Sequence, residues 1–211
     1  MADCSLYLIS PSSIALNEFL VQLEQALAAS SRVKAFQLRL KNADDNQIVE
    51  AAKMLLPICR KYDVAFIMND RADLAVQCKL DGVHLGQDDI SVSNARKIIG
   101  EERVIGVSCH ASRHMAMEAA EQGADYVAFG AFYPTTSKPI EKVEKWGMPT
   151  PEILEWWSEM TTIPCVAIGG ITPDNAKPLV NAGADFVAAI TSVWNYPGGV
   201  AEAMKAFERM L

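Results

Sequence analysis

Short apolar runs rich in β-branched and aromatic residues alternate along this chain with longer stretches whose apolar positions recur every three to four residues. Residues 5–10, 34–38, 64–68, 82–85, 104–108, 126–129, 165–168 and 186–190 read as strands. Four or five successive apolar residues suit strands covered on both faces, as in a parallel sheet sheathed by helices. Helical periodicity marks 44–62, 91–99, 112–123, 151–160 and 173–182, with a last helix near 199–211. Ser91 or Asp44 can accept from first-turn N–H groups, and Gly100 and Gly123 stand where a left-handed residue closes a helix. Pro57 falls inside the 44–62 pattern and is expected to kink it.

Eight strand–helix units in 211 residues allow about 26 residues each, close to the lower limit for a (β/α)₈ TIM barrel. The competing architecture is a doubly wound open sheet. That arrangement would carry a Gly-x-Gly-x-x-Gly turn after the first strand, which this sequence lacks. Its Gly169-Gly170 pair comes late instead, after the seventh strand, where a barrel places a phosphate site. The expectation is therefore one barrel domain spanning 1–211, with 139–149 a candidate mobile lid because it is polar, irregular and long for a barrel loop.

The candidate chemistry lies at the strand ends. In Gln37-Leu38-Arg39-Leu40-Lys41 the side chains alternate, so the amide and the two cations share one face, a plausible phosphate or diphosphate clamp. Asn69-Asp70 follows the third strand and Gly86-Gln87-Asp88-Asp89 the fourth. Carboxylates from neighbouring strand ends can converge on a Mg²⁺ ion, which prefers oxygen ligands and bridges to phosphates. Asp70 or Asp88 could equally be a plain helix cap. Pro134-Thr135-Thr136-Ser137-Lys138 offers three hydroxyls and an ammonium, and Thr191-Ser192 completes the phosphate position after the eighth strand. His110 and His114 have i, i+4 spacing but lack the glutamate of a zinc-protease helix. His110 follows the fifth strand closely enough to face the mouth, whereas His84, inside an apolar run, reads as a core or supporting residue.

Composition narrows the partners. A formal charge of −7 disfavours nucleic acid and anionic membranes, so anionic small molecules would need the local cations just named. Five dispersed cysteines fit neither a disulfide framework nor a zinc site and point to a reducing cytoplasm. No apolar run is long enough to span a bilayer, and residues 1–10 have no signal-peptide pattern. A homo-oligomer is compatible with all of this.

In these motifs, in order and nearly end to end from Tyr7-Leu8-Ile9-Ser10 to Val193, the chain resembles the thiamine-phosphate synthase family. The most specific segments are Gln37-x-Arg39-x-Lys41, Asn69-Asp70-Arg71, Gly82-Val83-His84-Leu85-Gly86-Gln87-x-Asp89, Gly106-Val107-Ser108, 134–138 and Ala167-Ile168-Gly169-Gly170-Ile171. The resemblance implies a Mg²⁺-dependent transferase that joins hydroxymethylpyrimidine diphosphate to thiazole phosphate, releasing pyrophosphate. It implies that Arg39, Lys41, Asn69 and Lys138 hold the diphosphate and that Asp70 and Asp89 ligate Mg²⁺. Gln37 and Ser108 would orient the pyrimidine, and Thr135, Ser137, Gly170 and Thr191 would contact the thiazole phosphate. Leu40 stands where the family usually has glutamate, Asp88 takes the place of another glutamate, Ser137 replaces threonine and Thr191 replaces serine. The alternatives are the related thiazole tautomerase, with a proton-shuttling histidine at the His110 position, and a non-catalytic barrel that binds a thiamine precursor.

Overall fold

The computed structural model describes residues 4–135 and 145–211. Eight parallel strands close in sequence order: β1 (Ser5–Ile9), β2 (Val33–Leu38), β3 (Ala65–Asn69), β4 (Gly82–Leu85), β5 (Val104–His110), β6 (Tyr126–Phe129), β7 (Cys165–Ala167) and β8 (Phe186–Ala189), with β8 pairing back onto β1. Around them run α1 (Leu16–Ala29), α2 (Asp45–Lys61), α3 (Ala72–Gln77), α4 (Val92–Ile99), α5 (Arg113–Glu121), α6 (Glu152–Met160), α7 (Lys177–Asn181), α8 (Thr191–Trp194) and α9 (Val200–Glu208). This is the (β/α)₈ barrel that the pattern predicts.

Strand alternation divides the apolar residues into two layers. Leu6, Leu8, Phe36, Phe66, Val83, Ile105 and Val127 pack outward in one cluster with helix residues such as Phe19, Leu55 and Phe207. Tyr7, Ile9, Ala35, Ile67, Tyr126, Ala128, Val166 and Ala188 form a second, smaller cluster that fills the bore.

Helix ends follow the sequence signals closely. Asp44 and Gln47 form a capping box at the start of α2, and Ser91 and Ser112 cap α4 and α5. Helix α2 runs through Pro57 without ending. Pro57 is exposed, so the carbonyl that loses its N–H partner can turn to water. Helix α7 is shorter than its 173–182 pattern because Pro178 sets its first turn and residues 173–175 form a turn instead.

The N-terminal ends of the strands share one device. Asp81, Asp125 and Asp185 each precede a strand and accept a hydrogen bond from a backbone N–H of the preceding strand: Phe66 at 2.7 Å, Ile105 at 2.7 Å and Cys165 at 2.8 Å. Asp125 also takes the Arg96 guanidinium at 2.6 Å. Asp125→Ala is expected to strand the Ile105 N–H and cost about 1–3 kcal/mol. Thermal unfolding then moves down by several degrees, and an unchanged midpoint would contradict this account.

Candidate active site

The site residues that the resemblance names, within the described residues, meet at the C-terminal end of the barrel. They line one cavity of about 230 Å³: Gln37 from β2 with Arg39 and Lys41 just after it, Asn69 at the end of β3 with Asp70 following, Asp89 from the β4 loop, Ser108 from β5, Thr135 after β6, Gly170 after β7 and Thr191 after β8. Ser137 and Lys138 lie outside the described residues, as does 139–144 of the candidate lid.

Backbone geometry presents several of these groups. Asn69 ends β3 and accepts the Gln37 side-chain N–H at 2.9 Å, which ties the inward amides of neighbouring strands together. Asp70 has a left-handed φ of 62°, and its N–H donates to the His84 carbonyl at 2.8 Å. It caps nothing: α3 has no side-chain cap, and Ser91, not Asp88, caps α4. The turn is held from behind by Arg71, which bridges Asp45 at 2.6 Å and Asp73 at 2.7 Å. Asp89 folds back to accept the Gly86 N–H at 2.7 Å.

Asp70 and Asp89 lie close enough for each carboxylate to act on the other's charge. Loss of bulk water, followed by the like charge of Asp89, pushes the Asp70 carboxyl up to about 6, against the opposing pull of Arg39 and Asn69. Two carboxylates crowded in this way call for a positive charge between them. Among the described residues, no cluster of three or more His, Cys, Asp or Glu side chains is arranged for a metal. Two oxygen donors with room for water and phosphate are the mode Mg²⁺ uses. Burial lowers the pKa of the Arg39 guanidinium, partly opposed by Asp70. A guanidinium remains protonated under such a shift.

Across the cavity, the β7 turn is built for close approach. Gly169 has a φ of 103°, and a Cβ there would fall on Ala131. Asn175 fastens the turn: its side-chain N–H donates to the Gly170 carbonyl at 3.0 Å, its Oδ1 accepts from the Thr172 N–H at 2.8 Å, and its backbone carbonyl accepts from the Tyr133 hydroxyl at 2.7 Å. Beside this turn, the buried Ser192 hydroxyl has no hydrogen-bond partner within the described residues. Buried hydroxyls are usually paired, and this one lies where barrels often hold a phosphate.

Leu40 faces away. It packs on the outer apolar layer and lines a separate groove with Ile14, Leu16 and Ala51, so the missing glutamate takes nothing from the cavity wall. His110 belongs to β5 and lines the mouth, stacking on Trp146 at 5.2 Å between centroids and 8° between planes. His114 sits on α5, exposed and 3.5 Å from Glu118, so the two histidines do not share a helix. Sequence reasoning missed the buried path behind Ser108: His84 joins Ser108 to Tyr126, and Tyr126 joins Tyr7. Gly106, quoted only as part of a motif, is its signal, since a Cβ there would fall inside the Tyr126 phenol.

A family model described as thiamine monophosphate synthase matches residues 6–193. The chain belongs to that family. Curated thiamine-phosphate synthases are similar along its whole length: that of Rhodospirillum centenum is 50% identical over 211 residues, covering 100% of this chain and 99% of its own. That of Erythrobacter litoralis is 52% identical over 207 residues, covering 98% and 94%. Among solved structures, a thiamine phosphate pyrophosphorylase from Pyrococcus furiosus superposes with a TM-score of 0.84 at 32% identity, covering 99% of this chain and 96% of that one. These synthase relatives favour the transferase over both the isomerase and the non-catalytic barrel. Among the described residues, no helix is long and apolar enough to cross a membrane.

Proposed function

We propose that the cavity couples hydroxymethylpyrimidine diphosphate to thiazole phosphate, giving thiamine phosphate and pyrophosphate, with Mg²⁺ held by Asp70 and Asp89. The observation that carries this reading is that those two carboxylates and Arg39 line one cavity at the barrel mouth, where Asp70 feels the charge of both neighbours. In the reaction, the C–O bond at the pyrimidine methylene breaks and its electron pair leaves with pyrophosphate. The thiazole nitrogen then supplies the pair that forms the new C–N bond. The barrier lies in charge separation, so groups that stabilise the departing diphosphate contribute most. A unit charge about 4 Å away is worth roughly 4 kcal/mol at an effective dielectric of 20.

Bound Mg²⁺ would neutralise diphosphate oxygens. Arg39, Lys41, Asn69 and Lys138 would grip the same group, while Gln37 and Ser108 hold the ring. Thr135, Ser137, Gly170 and Thr191 would seat the thiazole phosphate, joined by Ser192. The chemistry needs no covalent nucleophile. The five cysteines are buried, and burial pushes the thiols of Cys59, Cys109 and Cys165 up to about 12, which keeps them protonated and poor nucleophiles. Such reduced thiols also fit a cytoplasmic setting.

Incubation of the protein with both substrates and Mg²⁺ is expected to yield thiamine phosphate and pyrophosphate in equal amounts. Removal of the metal by a chelator should abolish turnover until Mg²⁺ is restored. Turnover of the thiazole without coupling would end this reading. Ser192→Ala should leave thermal stability unchanged or slightly raised, since the hydroxyl has no partner among the described residues, and raise KM for thiazole phosphate about five- to ten-fold. An unchanged KM would remove Ser192 from the phosphate site.

A further inference from the structure

Four polar side chains form a continuous path from the bore to the cavity. The Tyr7 hydroxyl lies 2.8 Å from the Tyr126 hydroxyl, Tyr126 lies 2.9 Å from His84 Nδ1, and His84 Nε2 lies 2.8 Å from Ser108 Oγ. Tyr7, Tyr126 and His84 are buried, and Ser108 lines the cavity. Burial raises the pKa of both tyrosines well above the ordinary phenol value, so each keeps its hydrogen.

Counting hydrogens sets the direction of this path. The two phenols bring two hydrogens, and the contacts just named are the only hydrogen bonds their hydroxyls make among the described residues. If His84 Nδ1 accepts, both hydrogens are used: Tyr7 donates to Tyr126, and Tyr126 donates to Nδ1. If Nδ1 instead carries a hydrogen and donates it to Tyr126, one phenol hydrogen is left in the bore without an acceptor. An unmade hydrogen bond of that kind shifts the equilibrium by about ten-fold or more.

We propose that Tyr126 holds His84 as the Nε2–H tautomer and thereby commits the Ser108 hydroxyl to donate into the cavity. With Nε2–H directed at Ser108 Oγ, the Ser108 hydrogen has nowhere to go within the described residues except the cavity. Gln37 supplies the complement. Its N–H goes to Asn69, so its Oε1 remains to accept. A wall that presents one acceptor and one fixed donor suits the amino group and ring nitrogen of an aminopyrimidine, and it opposes an oxo-pyrimidine, whose donor and acceptor are exchanged. Tyr126 and His84 are thus positioning residues for ring recognition. That the ring meets Ser108 rests on the function proposed above, whereas the tautomer does not.

The tautomer is read directly by long-range ¹H–¹⁵N correlation of the free protein labelled in its 3 histidines. His84 is expected as Nε2–H in the wild type and in Tyr7→Phe, where Nδ1 is still the acceptor open to Tyr126. In Tyr126→Phe, which preserves volume, both tautomers should appear. The same variant should raise KM for the pyrimidine diphosphate about ten-fold, with a smaller change in kcat, and narrow its preference over the 4-oxo analogue. An Nδ1–H signal in the wild type, or an unchanged KM and preference in Tyr126→Phe, would overturn the proposal. A wild-type protein that shows Nε2–H yet couples no substrates would refute the proposed function and leave the tautomer standing.

Discussion

Asp70→Ala lowers kcat by about 10²–10³ under saturating substrates while the protein stays folded. Asp70 gives no hydrogen bond to a helix terminus, and its removal relieves the repulsion with Asp89. A left-handed alanine costs about 1–2 kcal/mol, a small debit beside the lost chemistry. Asp70→Asn separates the two effects, since asparagine tolerates the same backbone but is a poor magnesium ligand. Both variants should need higher Mg²⁺ for half-maximal rate, and thermal unfolding should show Asp70→Asn close to the wild type. Steady-state rates across a Mg²⁺ titration decide the matter. Wild-type kcat in either variant would remove Asp70 from the metal site and, with it, the main support for the proposed reaction.

Gly169→Ala has the largest expected effect on the opposite wall. The new methyl would overlap Ala131, and the φ of 103° lies outside what alanine adopts comfortably. The strand end, the Asn175-fastened turn and the Tyr133–Thr135 segment must then move apart. We expect a loss of about 3 kcal/mol and a fall in melting temperature of about 6–12 °C. KM for thiazole phosphate should rise at least about ten-fold, with KM for the pyrimidine diphosphate changed far less. Differential scanning calorimetry and separate KM determinations test this. A fully stable variant with normal thiazole phosphate affinity would show that the turn does not shape the phosphate site.

The parts of the site legible in the sequence are those that local rules dictate. Two-residue alternation puts Gln37, Arg39 and Lys41 on one face, and a polar cluster at the end of each apolar run turns to the mouth once the barrel closes. The same alternation explains why Leu40 is harmless: its neighbours face the cavity and it does not. The range of helix α1 is not marked in the sequence, where Ala15 provides no side-chain cap to signal its start. The Tyr7–Tyr126 contact bridges 119 residues and the His84–Tyr126 contact 42, distances over which no pattern in a single chain announces a partner. His84 therefore looked like core, which it is by burial, and its link to Ser108 required the closed barrel to be seen. Gly106 was visible as a motif, but its cause, the Tyr126 ring end on the adjacent strand, was not.

The filled bore governs traffic as well as packing. With Tyr7, Tyr126, Ile67 and Val166 stoppering the channel beneath His84, the far end of the barrel offers no exit. On the function proposed above, reactants and products would share the mouth at the other end. A ring lodged against Ser108 would sit at the blind end of that passage, entering ahead of a thiazole nearer the threshold and departing joined to it.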